Sequence, residues 1–159
     1  MHFVTDFTQK AVVEVYNTML SLRVEVVSCH ESPPLPAPVP SVIVGSVGYA
    51  GKINGAIYMY YSEKLACAVT EKLLGMTPSS SHDSEVGDVI GEIANMAAGD
   101  MKRRTSDMGY SGYLATPIIM RGEQVVVDPK DAPIDVYNVF RIPDLGETFA
   151  VRTFAKLEA

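Results

Sequence analysis

Three polar side chains in the middle of the chain stand at a spacing that suits chemistry. Asp88 is followed by Glu92 and then Asn95, four and three positions on, and Gly99 continues the row. Residues three and four apart are neighbours on an α-helix surface. On a helix, therefore, these positions line up as two carboxylates, a carboxamide and a bare backbone site. A carboxylate pair can do general acid–base work only when its surroundings drive the two pKa values apart. Asp88 and Glu92 lie one turn apart on an outward face that gives the two carboxylates no distinct surroundings, so a hydrolase built on that pair is disfavoured. A polar outward face is also ordinary in itself. Two residue choices are less ordinary. Asn95 competes for backbone hydrogen bonds inside a helix, and Gly99 costs about 0.5–1 kcal/mol relative to alanine. Gly87 and Gly91 lie close by. Small residues here admit either another protein's surface or a neighbouring element of the same fold.

The element that must carry this row is the longest helical pattern in the chain, over 84–106. At about 100° per residue, Val86, Ile90, Ile93, Ala97 and Met101 fall on one face, opposite the polar row. A first helix is expected over 8–20, with Asp6 or Thr8 as its cap and Ala11, Val12, Val15 and Met19 on its apolar stripe. Val24, Val26 and Val27 mark a strand over 22–29. Strands over 41–49 and 52–61 flank a turn at Ala50-Gly51. Ser62 is placed to cap a helix that Gly75 and Pro78 stop. After the long helix come strand patterns over 112–120, 123–127, 136–142 and 148–154, punctuated by Gly122, Pro129, Pro133 and Pro143. This order predicts one α+β domain over 1–159, with a mainly antiparallel sheet and helices packed on one face.

Composition narrows the function classes. The 159 residues are 47% hydrophobic and 20% charged, with 13 basic and 19 acidic side chains, a net charge of −6. That is too apolar for a disordered chain. No apolar run is long enough to span a bilayer, and residues 1–10 do not read as a signal peptide, so a cytoplasmic address is expected. The densest basic cluster, Lys102, Arg103 and Arg104, has Asp100 and Asp107 close by and reads as a solvated helix end rather than a nucleic-acid stripe. Cys29 and Cys67 are far apart and, with His2, His30 and His82, offer no zinc framework; both thiols are expected to be buried. Gly45, Gly48 and Gly51-Lys52 do not form a phosphate loop. Ser46 stands where that loop needs glycine, and Ile53 where it needs Ser or Thr. Five prolines over 32–40 read as a stiff extended surface connection.

The run from Asp88 through Glu92 and Asn95 to Gly99 resembles the signature helix of the CheC/CheX/FliY chemotaxis phosphatases. That signature is an acid or serine, then Glu, then Asn, with a proline a little over twenty residues later; Pro117, within Ala115-Thr116-Pro117-Ile118-Ile119, fits it. The strand end from Ile57 to Ser62, and the opening helix ending near Thr18-Met19-Leu20, are similar too. Glu14 and Asn17 repeat the Glu–Asn spacing, but Lys10 and Ser21 fill the other positions of the motif. We read that pair as coincidence or remnant, which fits the CheX-type branch.

The resemblance implies a phosphatase acting on the phospho-aspartate of a CheY-type response regulator. It places Asn95 at the attacking water and Glu92 on the regulator's active-site lysine, with Asp88, Gly99 and Pro117 at the docking face. It implies no cofactor of the chain's own, Mg2+ on the partner regulator, and a homodimer. The roles are chemically sensible. A carboxamide can hold a water and face a phosphoryl oxygen at once, and phosphoryl transfer asks mostly for positioning. A non-catalytic adaptor that docks on a receiver domain through the same face is the alternative. Receiver active sites are acidic, so for a chain of net charge −6 docking would rest on shape and local contacts.

Overall fold

A computed structural model describes residues 2–31, 41–123, 125 and 127–158. Along the chain these form α1 (His2–Leu20), β1 (Glu25–Glu31), β2 (Ile43–Gly51), β3 (Ile53–Tyr61), α2 (Glu63–Leu74), α3 (Ser84–Asp107), β4 (Gly112–Leu114), β5 (Ile118–Arg121), β6 (Ile134–Ile142) and β7 (Glu147–Leu157). The strands make one antiparallel sheet in the order β1-β6-β7-β3-β2-β4, and β5 also pairs with β2. Alternation along each strand gives the sheet two faces. One face, with Ile43, Val47, Ile57, Met59, Tyr61, Phe140, Phe149 and Val151, builds the main core together with all three helices. The antiparallel α+β architecture expected from the element order is therefore the one observed.

The other face holds a smaller cluster of Val44, Tyr60, Tyr137 and Ala150. Beside it a buried Arg152 makes a two-pronged contact with Asp135, at 2.9 and 2.8 Å, and its guanidinium lies 4.7 Å from the centre of the Phe154 ring. Pairing and the ring together compensate the desolvation of that charge.

Helix α3 sits on the sheet because β2 has no side chain where the two meet. A Cβ on Gly45 would fall 2.9 Å from Ile90 Cγ2, 3.2 Å from the Ile90 carbonyl oxygen and 3.4 Å from Ala94 Cβ. The first is closer than packed atoms tolerate, and the second is tighter than most. Val86, Ile90, Ile93 and Ala97 are fully buried on this side, as their spacing predicts, with Met101 half-buried. Helix α1 is tied to the same face by the Tyr16 and Tyr61 hydroxyls, 2.5 Å apart, and by Thr8 and Thr153, whose hydroxyls are 3.1 Å apart.

The caps of α2 follow the expectation. The Ser62 hydroxyl accepts the Leu65 N–H at 3.1 Å, and Gly75 closes the helix at φ 72°. The Ser79-Ser80-Ser81 link is more than a polar tether. Ser81 is buried, and both its N–H, at 2.7 Å, and its hydroxyl donate to the Glu63 carboxylate. These bonds, the hydroxyl's first, hold the Glu63 carboxyl below its ordinary value of 4.5.

Several local expectations are corrected. Helix α1 starts at His2, because Val4 and Thr8 are buried against the fold. Thr8 is not a cap; its hydroxyl donates to the Val4 carbonyl one turn back, while Asp6 pairs with Lys10 at 2.9 Å. The pattern over 112–120 is two strands, broken at 115–117, where Pro117 has no N–H to give to the β2 ladder. No strand forms at Glu123, Val125 or Val127; Gln124 and Val126 lie outside the described residues, as does the proline segment 32–40. The two thiols are not both buried: Cys29 is exposed because it lies on β1, an edge strand whose other residues are almost all exposed, and Cys67 on α2 is half-buried.

Two expected outcomes follow from this packing. Gly45→Ala should lower unfolding free energy by roughly 1–3 kcal/mol, the usual cost of overpacking, as measured by denaturant titration. Because folding lowers the Glu63 pKa, its contribution is complete above the unfolded carboxyl's range and fades as pH falls through the folded value. Glu63→Gln should therefore narrow its stability gap from the wild type as pH drops from about 6 to about 3, as thermal melts across that range would record.

Candidate functional site

The seat of α3 decides which residues face outward. Asp88 and Glu92 are exposed, and Asn95 and Gly99 are half-buried along the same side. Among the described residues, none of the side chains of Asp88, Glu92 and Asn95 has a hydrogen-bond or ion-pair partner. The row is thus a set of uncommitted polar groups on a helix whose opposite face is locked into the core. A Cβ at Gly99 would meet nothing within 4 Å. That glycine leaves open space beside Asn95 and is not required by internal packing.

The other two glycines face neighbouring elements of the same fold. A Cβ at Gly91 would lie 3.5 Å from Ile119 Cδ1 and 3.7 Å from Pro117 Cβ. The break between β4 and β5 thus brings Pro117, distant in sequence, against the helix turn that carries Glu92. A Cβ at Gly87 would fall 2.6 Å from a terminal nitrogen of Arg121. Arg121 is exposed, and its Nε donates to the Ser81 carbonyl at 3.0 Å. No spacing rule singles out Arg121; a glycine inside a helix, unexplained by turn or cap, is the trace it leaves in the sequence.

The Glu14–Asn17 pair differs from the α3 row in one respect. The Glu14 carboxylate is bound by Arg104 at 2.8 Å, and Arg104 also reaches Asp100 at 2.7 Å. Glu14 is therefore already engaged, while Asn17 is exposed. The same contacts correct the reading of the basic cluster as merely solvated. Arg104 is half-buried and links α1 to α3, and Arg103 pairs with Asp100 at 2.5 Å. Among the described residues no group of three or more His, Cys, Asp or Glu side chains is gathered to hold a metal ion. Among the described residues no helix is long and apolar enough to cross a membrane.

The arrangement can offer a carboxylate and a carboxamide to a second molecule's surface. Comparison with known proteins gives this a family. The family model for the chemotaxis phosphatase CheX matches residues 43–138, from the start of β2 into β6 and including all of α3. The CheY-P phosphatase CheX of Thermotoga maritima is 24% identical over 89 residues, which is 56% of this chain and 57% of that protein. The match thus spans little more than half of that relative's length. Among solved structures, a CheC-like superfamily protein from Shewanella sp. PV-4 superposes with a TM-score of 0.87 at 24% identity, covering 98% of this chain and 99% of that one. The CheX–CheY complex with BeF3 and Mg2+ from Borrelia burgdorferi gives a TM-score of 0.79 at 20% identity, covering 96% of this chain and 97% of that one. With the family model matched over more than half of its length and across the whole of the helix bearing Glu92 and Asn95, the chain belongs to the CheX family of chemotaxis phosphatases.

Proposed function

We propose that this protein hydrolyses the phospho-aspartate of a CheY-type response regulator. The observation that carries the reading is the unpartnered Glu92–Asn95 pair on the exposed side of a helix fixed from behind, in a chain of this family. The solved complex of a related CheX with CheY, BeF3 and Mg2+ supports the choice of partner. The regulator brings the acyl phosphate and its Mg2+. Asn95 accepts a hydrogen bond from a water and donates one to a phosphoryl oxygen, so that the water stands in line with the bond to be broken. Water attacks phosphorus, the aspartyl oxygen leaves, and inorganic phosphate and free aspartate result. Glu92 pairs with the regulator's active-site lysine and sets the register in which Asn95 arrives. Asp88 and Gly99 extend the docking row, the latter by leaving room, and Pro117 steadies the turn at Gly91. The neutral carboxamide avoids the repulsion a carboxylate would meet beside phosphate.

Positioning of this kind is sensitive to displacements of about 1 Å, which can cost a hundredfold in rate. Asn95→Ala should slow dephosphorylation of a phosphorylated receiver at least about a hundredfold while binding persists. Glu92→Ala should weaken binding. An unchanged rate in Asn95→Ala would sink the mechanism, and binding by the wild type with no change in phosphate lifetime would assign the chain to an adaptor role. The proposal also includes a homodimer. The outer edge of β1, with Val26 and Val27 at 41% and 56% exposure, supports an interface there. Light scattering during size-exclusion chromatography should give twice the 17.2 kDa chain mass; the chain mass itself would exclude the dimer.

A further inference from the structure

The docking row has a flank that its own chemistry leaves unexplained. Arg121, the last residue of β5, lays its guanidinium against α3 at Gly87, immediately before Asp88. The two pack closely: a Cβ at 87 would fall 2.6 Å from a terminal guanidinium nitrogen, so a larger residue there would make the end of the Arg121 side chain shift, and the helix carries glycine there although glycine weakens helices. The Nε–H is anchored on the Ser81 carbonyl, and Ser81 is held in turn by two hydrogen bonds to Glu63. An arginine has five N–H donors. Those on the two terminal nitrogens have no acceptor among the described residues, and no carboxylate pairs with this side chain there. The result is an anchored, exposed, unpaired cation on a molecule of net charge −6.

Resting on the function proposed above, we infer that Arg121 is a recognition residue that binds a surface carboxylate of the docked receiver, as a second contact beside the Glu92–Asn95 row. It does not share the phosphoryl group. Gly87 and Asn95 are eight residues apart, about 12 Å along the helix axis at ~1.5 Å per residue, which no hydrogen bond spans. An acidic receiver meets an acidic phosphatase, so a fixed local cation supplies the complementarity that net charge withholds. The planar guanidinium, already held on one side, gives up little freedom when it binds a carboxylate in a fork geometry.

The test is steady-state dephosphorylation of a phosphorylated receiver by the full chain at low and high salt. Arg121→Gln removes the charge and keeps a donor for Ser81. It should raise KM roughly tenfold at low salt, with kcat within about twofold of wild type, and the gap should close near ~0.5 M salt. Arg121→Glu should raise KM further, and Arg121→Lys, with charge but no fork, should fall between. Gly87→Ala, which removes the seat and keeps the arginine, should also raise KM. Wild-type KM in both Arg121→Gln and Arg121→Glu at low salt, with the wild type active, overturns this inference and leaves the proposed function standing. A loss of kcat without a change in KM also overturns it, since that pattern belongs to Asn95. A wild-type chain that neither dephosphorylates nor binds any receiver overturns both readings.

Discussion

The close approach of α3 to β2 at Gly45 is the constraint on which the rest of the molecule depends. With no side chain at that position, Ile90 and Ala94 come down onto the strand and the whole 24-residue helix is rotationally fixed. Once that face is buried, the opposite face has to be the one with Asp88, Glu92, Asn95 and Gly99. Nothing further is needed to present them, and nothing within the described residues satisfies them. Other elements pack against the flanks at the helix's own glycines. Pro117 packs at Gly91 and Arg121 at Gly87, so that three backbone positions, on β2 and on α3, define the helix and its surroundings together.

The row presents an outward-facing carboxamide and carboxylate on a helix fixed from behind. In the reading proposed for it, it is half of an active site: the electrophile, the metal ion and the cation for Glu92 arrive with the regulator, the water is held between the two proteins, and specificity lies in docking register. The net charge of −6 then makes local positive contacts valuable, and Arg121 is the anchored candidate along the row's flank.

Helix α3 was legible from sequence because its instructions are local. The apolar positions Val86, Ile90, Ile93 and Ala97 repeat with helical period, and Ser62 and Gly75 delimit α2 by cap chemistry that a few residues contain. Asp88, Glu92, Asn95 and Pro117 were visible as a spaced pattern, and the placement of the first three on the side of the helix away from the core follows from the same periodicity. What sequence could not give depends on distant partners. The first turns of α1 have no readable cap or stripe until Val4 and Thr8 are seen buried, Thr8 against Thr153. The split of β4 from β5 needed the β2 ladder to show where Pro117 breaks it. Cys29 sits in a Val-rich strand, yet its exposure was decided by β1 being at the sheet's edge. Arg121 was silent because its meaning rests on a glycine thirty-four positions earlier and on a carbonyl in the α2–α3 link.

In the proposed complex Asn95 reaches the phosphoryl group of a docked receiver. A crystal structure of this chain with a beryllofluoride-activated, Mg2+-loaded receiver would show whether it does. The expected result is α3 lying over the receiver's active site, with the Asn95 carboxamide within hydrogen-bonding distance of the beryllofluoride and Glu92 on the receiver's lysine. A receiver seated elsewhere, or one docked on α3 with Asn95 turned away from the beryllofluoride, would contradict it.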